Sequence, residues 1–188
     1  MTHPIDQTAQ KVIQDYALGI LQFLLPGLTR IHLWSGEVPV TKWEMDTVFT
    51  AWFFGKEVFV HIEIQLRGDH TMGERMFGYG SRLSSSYKYR SVISIVIWLE
   101  RHGSIPDSPY RLTAGPYELA TWKFQNVKVF EMTKDQITQG GIGMLLLAPF
   151  AEAVQYEDLE EILTRIHQQS DPKQLRECEA LFLVAAER

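Results

Sequence analysis

Two carboxylates and an amide are the residues of this chain whose types and spacing carry the most chemistry. Asp46 stands at the start of a β-rich run, Asp46 to Phe53, and Glu63 and Gln65 close the next, Glu57 to Gln65. Phe54-Gly55-Lys56 between the runs reads as a hairpin turn. An antiparallel return puts Asp46 and Gln65 roughly equidistant from that turn, with Glu63 one step inside. Strand residues two apart share a face, so Glu63 and Gln65 point the same way. Mg²⁺ takes a few oxygen ligands and keeps several waters, so two carboxylates and a backbone carbonyl would suit it. A plainer reading stands beside this one. Val58, Val60, Ile62 and Ile64 alternate with Phe59, His61, Glu63 and Gln65. The second set equally describes the wetter face of a half-buried strand. Spacing alone leaves both readings open.

The neighbours of these residues divide in the same way. His61 is a base, an extra ligand or a satisfied strand histidine. The other histidines (His3, His32, His70, His102 and His167) show no metal-ligand spacing. Arg75, Tyr79 and Arg82 fall at i, i+4 and i+7 of a helix, hence on one face. They are candidates for phosphate contact, while Arg75 could instead pair with carboxylates on the Glu74 side or with Asp46 or Glu63. Two adjacent carboxylates repel, so one should titrate high unless a cation such as Arg75 is near. Lys88 and Arg90, interleaved with Tyr87 and Tyr89, form either a basic-aromatic patch or a solvated helix end. Asp15, on the first helix, reads from its residues alone as a solvated carboxylate. Cys178, the single cysteine, excludes an internal disulfide and reads as a buried small residue.

The elements that must position these groups follow from periodicity. Apolar residues recur at helical spacing from Asp6 to Leu25, and Pro26-Gly27 ends that helix. Ile31 to Trp34 and Val38 to Val40 are candidate short strands around Ser35-Gly36. Arg67-Gly68-Asp69 breaks the second β run, and a helix is expected over Thr71 to Lys88. Ser91 to Leu99 is nearly all apolar, as in a central strand covered on both faces. His102 to Pro116, with its glycines and prolines, reads as loop, and Thr121 to Phe130 as one strand irregular at Asn126. Thr133 to Pro149 reads as a helix weakened by three glycines, followed by helices Tyr156 to Gln168 and Pro172 to Glu187.

The totals bound the class. A chain of 188 residues, 45% hydrophobic and 22% charged, suits one globular domain. That domain divides into a core over 1–132 and a helical C-terminal extension over 133–188. The longest apolar runs fall far short of a membrane span, and Met1 to Gln10 carries no signal-like stretch. The expectation is therefore a cytoplasmic protein without a membrane partner. A net charge of −5 argues against a protein that coats nucleic acid, but allows local phosphate contacts. There is no Gly-rich phosphate loop and no nucleophile elbow.

Read in order, the motifs have a further property. Asp46-Thr-Val-Phe-Thr, the hairpin, Val60-His-Ile-Glu-Ile-Gln65, Glu74-Arg-Met-Phe-Gly-Tyr79 and Arg82-Leu83 closely resemble the PD-(D/E)xK nuclease family transposases. These are the recombination-promoting nucleases, or YhgA-like transposases. Trp122 to Met132 is similar to the following strand of that family, so the likeness covers roughly Asp6 to Met132. The resemblance implies an α/β fold with a restriction-endonuclease-like core: helix, mixed sheet with a central hairpin, helix and strand. It implies that Asp46 and Glu63 bind Mg²⁺ or Mn²⁺, with the carbonyl of Ile64 completing the protein ligands. It places Gln65 at the third signature position, usually lysine, as a catalytic residue that orients water, and makes Asp15 the nearest candidate for the acidic residue that such nucleases carry on the first helix. The implied activity is DNA endonuclease, transposase- or recombination-associated, with self-association open. The alternative is a weak or inactive nuclease-fold protein serving as a nucleic-acid-binding or protein-interaction module.

Overall fold

A computed structural model describes residues 16–35 and 47–169. Asp15, Asp46, Cys178, His3, the Val38 to Val40 strand and the Pro172 to Glu187 helix lie outside the described residues. The chain is α/β and divides into two compact units, residues 27–127 and residues 1–26 with 128–188.

The first unit is built on a mixed five-stranded sheet in the order β1 (Leu28–Leu33), β2 (Thr47–Phe53), β3 (Lys56–Gln65), β4 (Ser91–Trp98) and β7 (Gln125–Lys128). β1, β2 and β3 are successively antiparallel. The β2–β3 hairpin closes with Phe53 opposite Lys56, leaving Phe54 and Gly55 as a two-residue turn. Both turn residues have positive φ, 47° and 77°, which matches the twist of the flanking strands. α2 (Met72–Ser86) then crosses over to β4 (Ser91–Trp98), which runs parallel to β3. Parallel pairing needs such a crossover, so the helix and the strand sense explain each other.

Covered faces fix the core. β3 is buried from Val58 to Ile64 and β4 from Ser94 to Trp98, so alternate residues on both faces are shielded. Phe59, Ile62, Ile95 and Ile97 are fully buried, each contributing about 2 kcal/mol of transfer free energy. The buried hydroxyl of Ser94 accepts a bond from the Trp122 indole, 3.1 Å.

The segment expected as loop over His102 to Pro116 contains a strand. β5 (Tyr110–Ala114) pairs antiparallel with β6 (Tyr117–Trp122) as a separate two-stranded ribbon. Four of the five β5 residues are exposed, so no apolar face marked it. Tyr110 and Trp122 anchor the ribbon by packing on α2, Phe77 stacking on Tyr110 at 5.7 Å. Gly80 of α2 is required there, because a Cβ would overlap the Trp122 indole. The expected single strand over Thr121 to Phe130 is two, β6 and β7 (Gln125–Lys128), with a break at 123–124. The irregularity at Asn126 is a bridge: its amide accepts from Trp98 Nε1 and donates to Pro106 O, both at 2.9 Å.

In the second unit, residues 16–24 form helix α1. The helix expected over Thr133 to Pro149 is broken into α3 (Lys134–Gln139), α4 (Gly141–Leu145) and a 3-10 turn (Ala148–Phe150). Thr133 and Gln136 form a capping box at the start of α3, and Gly140 separates α3 from α4, whose first residue, Gly141, has φ 74°. α5 (Tyr156–Gln169) follows, and Lys134 binds Asp158 at 2.6 Å. No described helix is long and apolar enough to cross a membrane.

Candidate functional site

α2 lies along one face of β3 so that each two-residue step of the strand meets one turn of the helix. Phe59 packs in one cluster with Leu83, the His61 ring meets Tyr79 edge-on at 5.3 Å, and Glu63 bonds Arg75. The match is geometric. Two strand residues rise about 6.6 Å and one helical turn about 5.4 Å, so the partners stay in step. Leu83, Tyr79 and Arg75 are four residues apart and belong to the helix's sheet-facing side.

This arrangement corrects the reading of Phe59, His61, Glu63 and Gln65 as a wetter face. Phe59, His61 and Glu63 are all 0% exposed, because α2 covers them, and only Gln65 is partly exposed. A buried carboxylate needs compensation, and Glu63 has it on both oxygens. Arg75 Nη2 donates to Oε2 at 2.9 Å. His61 Nε2 lies 3.0 Å from Oε1. His61 Nδ1 is buried with no hydrogen-bond partner.

Arg75 extends the network to the loop after β3. Its Nη1 reaches Asp69 Oδ2 at 3.4 Å, and its guanidinium lies 5.9 Å from the Tyr79 ring centroid. Burial alone would lower the Arg75 pKa, but the charges of Glu63 and Asp69 and the Tyr79 contact outweigh it and raise it. Asp69 was passed over in sequence as part of a strand-breaking turn. Its Oδ1 accepts from the Thr71 amide, 2.9 Å, and hydroxyl, 2.8 Å, at the start of α2. An acceptor side chain just ahead of an amphipathic run was the available signal.

The Asp69 contacts carry a pH dependence. Burial would raise this carboxyl, but the two Thr71 bonds and the Arg75 charge prevail and hold it below its ordinary value. A lowered folded-state pKa means stability that is present above the unfolded value, about 3.9, and lost as pH falls through the folded one. Asp69→Ala is expected to lower stability by about 1 kcal/mol at neutral pH, the scale of a lost helix cap. Urea unfolding at descending pH should show that deficit shrinking in the acid range. A deficit that stays constant to low pH would remove the electrostatic account.

The other sequence candidates separate. Tyr79, 2% exposed, is a core residue under the helix and not a surface contact, and Arg82 is exposed. Arg75 is engaged with Glu63 and Asp69, the pairing reading rather than the phosphate reading. Gln65 pairs in register with Trp98, and its carbonyl accepts from Leu99 N at 2.9 Å. The hairpin register also differs from expectation. Thr47 faces Ile62 because the turn holds two residues, so Gln65 lies three residues beyond the last described β2 partner. Asp46 and Asp15 cannot be placed in this geometry, since both lie outside the described residues. Among the described residues, no group of three or more His, Cys, Asp or Glu is arranged to hold a metal. No protein-family model matches the chain, and no match was found among curated proteins or solved structures.

Proposed function

We propose that the protein is a Mg²⁺-dependent DNA endonuclease of the cytoplasm, transposase- or recombination-associated, on a restriction-endonuclease-like core. The observation that supports this reading best is connectivity. A helix, three successive antiparallel strands, a helix and a fourth strand parallel to the third follow one another, and a buried glutamate sits near the end of the third. That is the element order the sequence resemblance implies.

The donor chemistry is compatible with a hard divalent cation. A carboxylate has about four acceptor positions. On Glu63 the Arg75 and His61 contacts fall on different oxygens. Glu63 and the Ile64 carbonyl would hold the ion together with Asp46, the second carboxylate this reading requires. What Mg²⁺ supplies when bound is a polarised phosphate oxygen and a more acidic water. The chain's own part is positioning. Arg75 and His61 grip the Glu63 carboxylate from two sides and fix its orientation, and Arg75 neutralises its charge. Gln65, neutral where lysine is usual, orients water by hydrogen bonds and adds no positive charge near the developing anion.

One observation favours the second reading, a nuclease-fold module that binds nucleic acid or protein without cutting. Both oxygens of Glu63 are engaged, one by Arg75 and one by His61, and these partners compete with a metal for the same carboxylate. Calorimetric titration of Mn²⁺ or Mg²⁺ into wild type and Asp46→Ala tests the choice. Wild type is expected to bind and Asp46→Ala to lose binding. A wild type that takes up neither ion would replace the enzyme with the module.

A further inference from the structure

All four non-glycine residues with left-handed backbone among the described residues are exposed cations or aromatics: Arg30, Phe54, Lys88 and Tyr89, with φ from 47° to 58°. The sheet register gathers them at one end. Leu28 and Lys56 both pair with Phe53, and Val58 pairs with Ser91, the residue that follows the Lys88-Tyr89-Arg90 turn. Arg90 ties that turn to the hairpin by binding Glu57 at 3.0 Å. Left-handed conformations are unfavourable for side chains with a Cβ and persist only where something else selects them, often function. Asn or Gly would satisfy each of these turns with less strain.

What the residues have in common is chemistry rather than structure. Phe54 and Tyr89 are 81% and 83% exposed, so their rings add little to the core. Arg30 lies over the Trp52 ring at 5.3 Å. Arg30, Lys56 and Lys88 are exposed cations, and Glu57, in β3 beside the hairpin turn, is taken by Arg90. A positive end therefore stands on a chain of net charge −5. Exposed rings interleaved with cations are what a strand of unpaired bases requires, since each base offers a flat face and each link a phosphate. A duplex hides its base faces and does not use the rings.

We infer that this end of the sheet docks single-stranded DNA, with bases stacking on Phe54 and Tyr89 and phosphates meeting Arg30, Lys56 and Lys88. The choice of DNA over RNA rests on the endonuclease reading; the stacking surface does not. It is a separate place from Glu63, which lies five residues along β3 from Val58, about 16 Å at strand rise.

Fluorescence anisotropy with labelled oligo-dT, in EDTA so that no cleavage contributes, tests the surface. Wild type is expected to bind oligo-dT more tightly than a duplex of equal length, and less tightly as salt rises. Tyr89→Gly and Phe54→Asn should each weaken binding about tenfold. Their melting temperatures should hold or rise, because both residues suit left-handed backbone. Lys88→Glu should weaken binding and flatten its salt dependence. Binding that survives when metal uptake and cleavage fail leaves this surface standing without the nuclease. No oligo-dT binding by wild type, equal affinity for duplex, or wild-type affinity in both ring variants would overturn it.

Discussion

Arg75→Ala is expected to destabilise the protein by about 3 kcal/mol, among the largest effects of any single side-chain truncation on the sheet-facing side of α2. Glu63 is 0% exposed and faces the guanidinium at 2.9 Å. Removing the cation leaves a carboxylate inside the protein without the guanidinium that faces it. The penalty comes from the orphaned charge more than from the lost contact, and that distinction is testable. Glu63→Gln with Arg75→Met removes both charges while keeping an amide against His61 and an apolar stem against Tyr79. The double variant should recover more than half of the loss in urea unfolding at neutral pH. A deficit below about 1 kcal/mol for Arg75→Ala would mean that Glu63 is neutralised by other means.

That pair also shows where sequence reasoning ran out. The alternation of Val58 to Gln65 predicted β3 within a residue, and the helix expected over Thr71 to Lys88 is α2, Met72–Ser86. Both are regular elements whose periodicity is imposed by a face that must be buried. Alternation does not say what covers the second face, however. A strand with polar residues on alternate positions looks the same whether water or an amphipathic helix lies over it. Only the register of α2 on β3 turns His61 and Glu63 from a wet face into a sealed ionic cluster. The spacing of Arg75 and Tyr79 had marked a single helix face, and the two readings of Arg75 differed only in what that face meets.

Other differences have equally local causes. The exposed ribbon β5–β6 has no apolar alternation, and Tyr110 and Trp122 become anchors only through Gly73 and Gly80 of α2. The three glycines in 133–149 did carry the right signal, since α3 and α4 part at Gly140-Gly141. The turn length of the hairpin decided the strand register. Two residues rather than three place Thr47 opposite Ile62, and one residue of slip exchanges the faces of a strand.

Cleavage is where the endonuclease reading makes its largest claim. Purified protein is expected to nick or cut DNA with Mg²⁺ or Mn²⁺ and to stop on chelation. Asp46→Ala should abolish cutting, because losing a carboxylate ligand removes the metal rather than one interaction with it. Glu63→Ala should do the same, but it also strands Arg75 opposite an empty position, so lost activity there mixes with lost stability. Glu63→Gln is the cleaner variant. Its amide oxygen can still accept from Arg75 or His61, so the fold should hold while the anionic ligand is gone. Gln65→Ala should reduce the rate by less, about 10²-fold, the scale of one positioned hydrogen-bond donor. Gln65→Lys should keep or raise it by restoring positive charge beside the reacting phosphate. Arg82→Ala should weaken DNA binding and reduce its salt slope by about 1, since Arg82 is the exposed cation of its helix face. Cutting that persists in both Asp46→Ala and Glu63→Gln would assign the activity to a contaminant. Wild-type protein that neither cuts nor binds metal across single- and double-stranded substrates would leave the Glu63–Arg75 pair as a structural charge cluster, and the chain as a binding module.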